Sequence, residues 1–60
     1  MNTVSNQFPI YEQAQIAEYK GNYFWASILW RRLREFQEAN SCELIGLVLI
    51  EKGIYYELQN

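Results

Sequence analysis

The stretch "AQIAEYKGNYFWASILW" sets a single glycine between two runs whose apolar residues recur at helical spacing, and this constrains the fold more than any other feature. Ile10, Ala14 and Ala17 repeat up to Gly21, as the inward face of a helix does. Gly21 stands where a helix C-terminus takes a residue that tolerates positive φ, and Lys20 before it suits the negative end of the helix dipole. Asn22 then suits the N-cap of a second helix. The pattern is that of a helical hairpin, with two alanines on the first helix to let the second approach closely.

The spacing predicts a first helix over 9–20, with Pro9 in the first turn, where its missing N–H costs nothing. It predicts a second helix over 22–38. At about 100° per residue Trp25, Phe36, Leu29, Leu33, Ala26, Trp30 and Tyr23 fall on one arc of roughly 160°, wider than the ~100° stripe that packs on one core. Phe24 and Ile28 form a separate apolar pair outside it. This helix carries more apolar surface than one neighbour can cover.

Asn40 with Glu43 three residues later resembles a capping box, so a third helix is expected over 41–58. The segment "LIGLVLIEKGIYYEL" also fits a β-hairpin looped at Glu51-Lys52-Gly53. The helix is preferred, because an isolated two-stranded hairpin is marginal in water and Leu44, Val48, Glu51 and Tyr55 form a helical row. Residues 1–8 are polar, without periodicity, and are expected to be a flexible arm. The expectation is one all-α domain over 1–60 with three helices, the alternative being an α-hairpin followed by a C-terminal β-hairpin.

A chain of 60 residues buries only about 60% of its unfolded surface and is marginal alone. It holds one cysteine, Cys42, and no histidine, so neither an intrachain disulfide nor a thiolate or imidazole zinc site can reinforce it. Association with a second copy or another protein remains, and a homodimer is expected. A net charge of −2 and a pI near 4.9 leave no global attraction for nucleic acid or an anionic membrane. "MNTVSNQFP" lacks a signal-peptide pattern, and the longest aliphatic run, Leu47 to Ile50, is far short of the ~20 residues that span a bilayer. A cytoplasmic protein without membrane partners is expected.

No enzymatic activity, metal or cofactor is expected either. There is no histidine to act as general base and no phosphate-cradling glycine loop, and the glutamates Glu12, Glu18, Glu35, Glu38, Glu43, Glu51 and Glu57 are scattered. Cys42 lies near the expected start of the third helix, a position that lowers a thiol pKa, but it has no histidine to pair with and reads as a small packing residue. Arg31, Arg32 and Arg34 are the basic cluster. Arg31 with Glu35 and Arg34 with Glu38 form i,i+4 pairs on a solvated face, whereas Arg32 lies beside Ile28, where arginine suits an interface rim.

The aromatics divide similarly. Tyr23, Ala26, Trp30 and Leu33 are expected to hold the hairpin. Phe24, Trp25, Ile28 and Arg32, with Leu47 and Leu49 from the last segment, are the candidate surfaces for self-association or for a partner, since Trp, Tyr and Arg dominate interface hot spots.

The spacing Ala14, Ala17-Glu18, Gly21-Asn22-Tyr23, Ala26, Leu29-Trp30 is similar to the helix pair of one tetratricopeptide repeat. Set in a short chain and followed by Asn40, it resembles the ANR family, the small AraC negative regulators of Gram-negative bacteria and their phages. It also resembles the PerC-like virulence regulators. The carried-over positions are Glu18, Gly21, Tyr23, Ala26, Leu29, Trp30 and Asn40. The resemblance implies a helical, self-associating, non-enzymatic protein that binds an AraC-type transcription activator and inhibits it. PerC-like kinship would instead imply a transcriptional activator of virulence genes, and a phage- or virulence-encoded inhibitor of another host protein would leave the same sequence pattern. After Asn40 the chain departs from those families, with Leu44, Leu47 and Val48 where an aromatic and basic residues are usual and its cysteine at Cys42.

Overall fold

The computed structural model describes residues 9–58 and is all-α. Helix α1 spans Ile10–Tyr19, α2 Tyr23–Arg32, α3 Phe36–Glu51 and the short α4 Tyr55–Leu58. No strand occurs among the described residues, so the C-terminal β-hairpin alternative is excluded. The expected arm over 1–8 lies outside the described residues.

Three turns of one design punctuate the chain. After α1 the Gly21 amide bonds the Glu18 carbonyl (3.0 Å) and the Asn22 amide the Ala17 carbonyl (2.8 Å). After α2 Arg34 bonds Arg31 (3.0 Å) and Glu35 bonds Trp30 (3.0 Å), and after α3 Gly53 bonds Ile50 (2.9 Å) and Ile54 bonds Leu49 (3.0 Å). Each is a Schellman motif, which satisfies orphan helix-end carbonyls when the residue after the C-cap is left-handed. That residue is Gly21 (φ 82°), Arg34 (φ 62°) and Gly53 (φ 76°) in turn.

Arg34 corrects the expected boundaries. The second helix, read as 22–38, ends at Arg32, and the third, read as 41–58, starts at Phe36 and stops at Glu51. Asn40 is therefore inside α3 and caps nothing, and Phe36 leaves the α2 arc for an exposed place in the first turn of α3. Glu51-Lys52-Gly53, weighed above as a hairpin loop, terminates a helix. Pro9 stands at the N-cap of α1 rather than inside its first turn.

α2 lies against both α1 and α3. The buried cluster joins Ala14 and Ala17 of α1, Ala26, Leu29 and Trp30 of α2, and Ala39 and Cys42 of α3, with Ile10, Tyr23 and Leu33 packed around it. Most of its members are small, which lets the helix axes come close. Trp30 supplies the bulk, meeting Tyr11 edge-on with ring centroids 5.2 Å apart. Its indole N–H donates to the Glu18 carboxylate, which satisfies a donor that burial would otherwise strand.

α4 folds back onto the start of α2. The Phe24 amide donates to the Tyr55 hydroxyl (3.3 Å), and that hydroxyl donates to Asn22 Oδ1 (3.4 Å). Asn22 occupies the N-cap as expected but makes no side-chain cap bond; Tyr55, from the far end of the chain, meets an orphan amide of α2 instead. Leu58 packs over Gly21, where a Cβ would stand 3.1 Å from the Leu58 Cβ. The buried Ser27 hydroxyl bonds the Phe24 carbonyl (2.7 Å).

The described residues form a plate of 39 × 26 × 13 Å. Its radius of gyration, 12.0 Å, exceeds the about 10 Å of a globule of this length. Among the described residues no helix is long and apolar enough to cross a membrane.

Two substitutions test this frame. Arg34→Gly should raise stability by about 0.5–1 kcal/mol in urea denaturation, since glycine relieves the left-handed strain that an L side chain carries. Glu18→Ala should lower it by about 1–3 kcal/mol by stranding the Trp30 N–H, while Glu18→Gln, which keeps an acceptor, should avoid most of that loss.

Candidate interaction surface

Helix α3 is built with its small residues inside and its large ones outside. Ala39, Cys42 and Gly46 recur at helical spacing and are its buried positions. Gly46 accommodates the Phe24 ring: a Cβ there would lie 3.0–3.3 Å from three ring carbons. On the other side Leu44 is 63% exposed, Leu47 51% and Val48 47%, and Ile45 and Ile50 are also exposed. At about 100° per residue Leu44, Leu47 and Val48 fall within one ~100° stripe. Asn40, Glu43, Leu44 and Leu47 line a shallow depression on the same helix. The stretch Leu44 to Ile50 is apolar on all sides, a composition that is ordinarily buried, yet Leu44, Ile45, Leu47, Val48 and Ile50 are exposed.

The second exposed strip lies on α2. Trp25 and Ile28 are each 45% exposed, and Arg32 is exposed beside them. Their i, i+3, i+7 spacing is the anchor spacing of a helix that docks in a groove. Trp25, Ile28, Arg32 and Leu47 therefore stand where the sequence placed them, on the surface.

Phe24 does not. Expected at an association surface, it is half-buried between Gly46 and the Tyr55 ring, whose centroid is 5.0 Å away. The long-range return of α4 takes up the apolar excess that the α1–α2 pair leaves over. Leu49 is likewise half-buried and belongs to the inner flank of α3. Leu44 and Val48 are exposed beside Leu47 and lie outside the candidate surfaces expected from the sequence. The row Ala39, Cys42, Gly46 is the signal for them, because small residues at helical spacing mark the packed face and so set the opposite one outward.

The remaining motif positions sit in the frame. Ala14, Ala26, Leu29 and Trp30 are buried, Tyr23 and Leu33 pack against them, Gly21 forms the first turn and Glu18 receives the indole bond. Arg31 leaves the expected solvated pairing with Glu35. Its Nη2 reaches across to α3, 3.0 Å from Glu43 Oε1 and 3.2 Å from Asn40 Oδ1. Both side chains of that ion pair are near half exposure, so it contributes at most about 1 kcal/mol. Arg34 stands in the turn and Arg32 on the strip, so the basic cluster does not form one helical face.

Cys42 is inside α3, far from its N-terminus, and 3% exposed. Burial raises its thiol pKa most, the Glu18 carboxylate facing the thiol adds to this, and the charges of Glu18 and Glu38 push the same way, up to about 12. Such a thiol is a packing group and a poor nucleophile. Among the described residues no group of carboxylates and thiols is arranged to hold a metal.

Compared with protein-family models, with curated proteins and with solved structures, the chain matches none.

Cys42 gives the protein a pH signature. The unfolded thiol ionises near its ordinary 9.0 and the folded one near about 12, so the stability it contributes is complete below pH 9.0 and is lost as pH rises toward about 12. Urea stability should fall more steeply across that interval in the native sequence than in Cys42→Ala. Iodoacetamide at pH 8 should label the folded chain far more slowly than the urea-unfolded one.

Proposed function

We propose that this chain is a non-enzymatic cytoplasmic regulator that binds an AraC-type transcription activator and inhibits it. The observation that supports a binding role is the strip Trp25, Ile28 and Arg32 on the outer side of α2. Nothing in the fold needs these side chains exposed. A tryptophan left half in water on a marginal domain lowers solubility, and its gain comes when a partner covers it.

The target class comes from the resemblance of Glu18, Gly21, Tyr23, Ala26, Leu29 and Trp30 to the ANR pattern. In this reading those residues build the hairpin and do not touch the target. They hold α2 rigid, so that Trp25 and Ile28 enter an apolar groove on the activator as helix anchors. Arg32 meets acidic groups at the rim, where it sets orientation more than affinity. Inhibition follows if the covered groove is one the activator needs for its own pairing or for DNA engagement.

A titration of a purified AraC-type activator with the chain, read by calorimetry or fluorescence anisotropy, tests this. Trp25→Ala should weaken binding by at least about 2 kcal/mol, or roughly thirtyfold. Ile28→Glu should abolish it, and both variants should keep the native circular dichroism. Failure of the native chain to bind any such activator, or binding unaffected by either substitution, contradicts the proposal.

A further inference from the structure

We infer that the outer face of α3 is a self-association surface, on which a second copy of this chain docks its own α3 in antiparallel orientation. The inference is independent of what the α2 strip binds.

The face has the chemistry of a short helix–helix seam. Gln37, Asn40, Leu44, Leu47 and Glu51 lie along one line of α3, with Val48 beside Leu47, the a/d-type spacing through which two helices interdigitate. The apolar part is the middle of the line and the polar part its two ends. Such a line matches itself best when reversed. With the two-fold axis between Ile45 and Gly46, Leu44 of one copy meets Leu47 of the other, and Glu51 comes opposite Asn40. A parallel pair would instead set Glu51 against Glu51 on one seam, a like-charge contact, and would align the two helix dipoles unfavourably.

The area fits a reversible dimer. Leu44, Leu47 and Val48, at 63%, 51% and 47% exposure, leave roughly 300 Å² of apolar side chain in water per copy, the size of a patch that is commonly functional. With Ile45 and the polar ends, pairing along α3 buries about 1,000 Å² in all, the lower bound of specific interfaces. That size suits a dimer which forms in the micromolar range and dissociates on dilution.

Sedimentation of the full chain over a concentration series tests the proposal. Mass should rise from 7.2 kDa to twice that value with concentration, Leu47→Glu should remain at chain mass with native circular dichroism, and Trp25→Ala should still dimerise. Orientation is read by disulfide trapping in a Cys42→Ala background. A mixture of Asn40→Cys and Glu51→Cys chains should cross-link to each other, and neither should cross-link to itself. A native chain that stays at 7.2 kDa at millimolar concentration overturns the inference, as does a Leu47→Glu chain that still dimerises. Self-cross-linking of Glu51→Cys overturns the antiparallel pairing.

Discussion

Everything in this small plate depends on where its small residues lie. Ala14, Ala17, Ala26, Ala39, Cys42 and Gly46 occupy the positions between helices, and helices that meet through such residues pack closely but enclose little apolar volume. Among the described residues the large side chains that are buried are Leu29, Trp30 and Tyr55. Many of the other leucines, isoleucines and aromatics are displaced outward, and the outer sides of α2 and α3 follow from that displacement. Structure and candidate function share one cause: helices that close on alanine leave their bulk for contact with something else.

Glu18 holds the three helices in register. From α1 its carboxylate receives the indole N–H of Trp30 on α2 and faces the thiol of Cys42 on α3. One polar group thus touches all three long helices at the edge of the apolar cluster. Neutral packing of alanines against one another is permissive about rotation and sliding; a carboxylate that must meet a particular indole is not. The Tyr55 hydroxyl has the corresponding role at the other end, joining α4 to the first turn of α2.

The α1–α2 hairpin was legible because its signals are local. A glycine after a helical row, alanines at 14, 17 and 26 and a tryptophan at 30 each point to the same turn and face. The α2–α3 boundary was not legible, because it rests on Arg34 at φ 62°, and arginine carries no preference for that conformation. From this one residue follow the displacement of Phe36 and Asn40 into α3 and the place of Cys42 well inside a helix. Phe24 was misplaced for a different reason. Its burial depends on Gly46 and Tyr55, 22 and 31 residues away in sequence, and no periodicity within α2 reports such a contact. The exposed leucines of α3 were half legible, since the small row that faces inward is visible in the sequence but the partner that makes it inward is not.

The central claim is that the outer face of α3 is made to be covered, while the alanine seams inside are complete in the single chain. Methyl resonances separate the two directly. In a dilution series of the labelled full chain, the methyl signals of Leu44, Leu47 and Val48 should shift together with concentration, and those of Ala14, Ala26 and Ala39 should stay fixed. Concentration-independent leucine and valine signals, or alanine signals that move with them, would contradict the account.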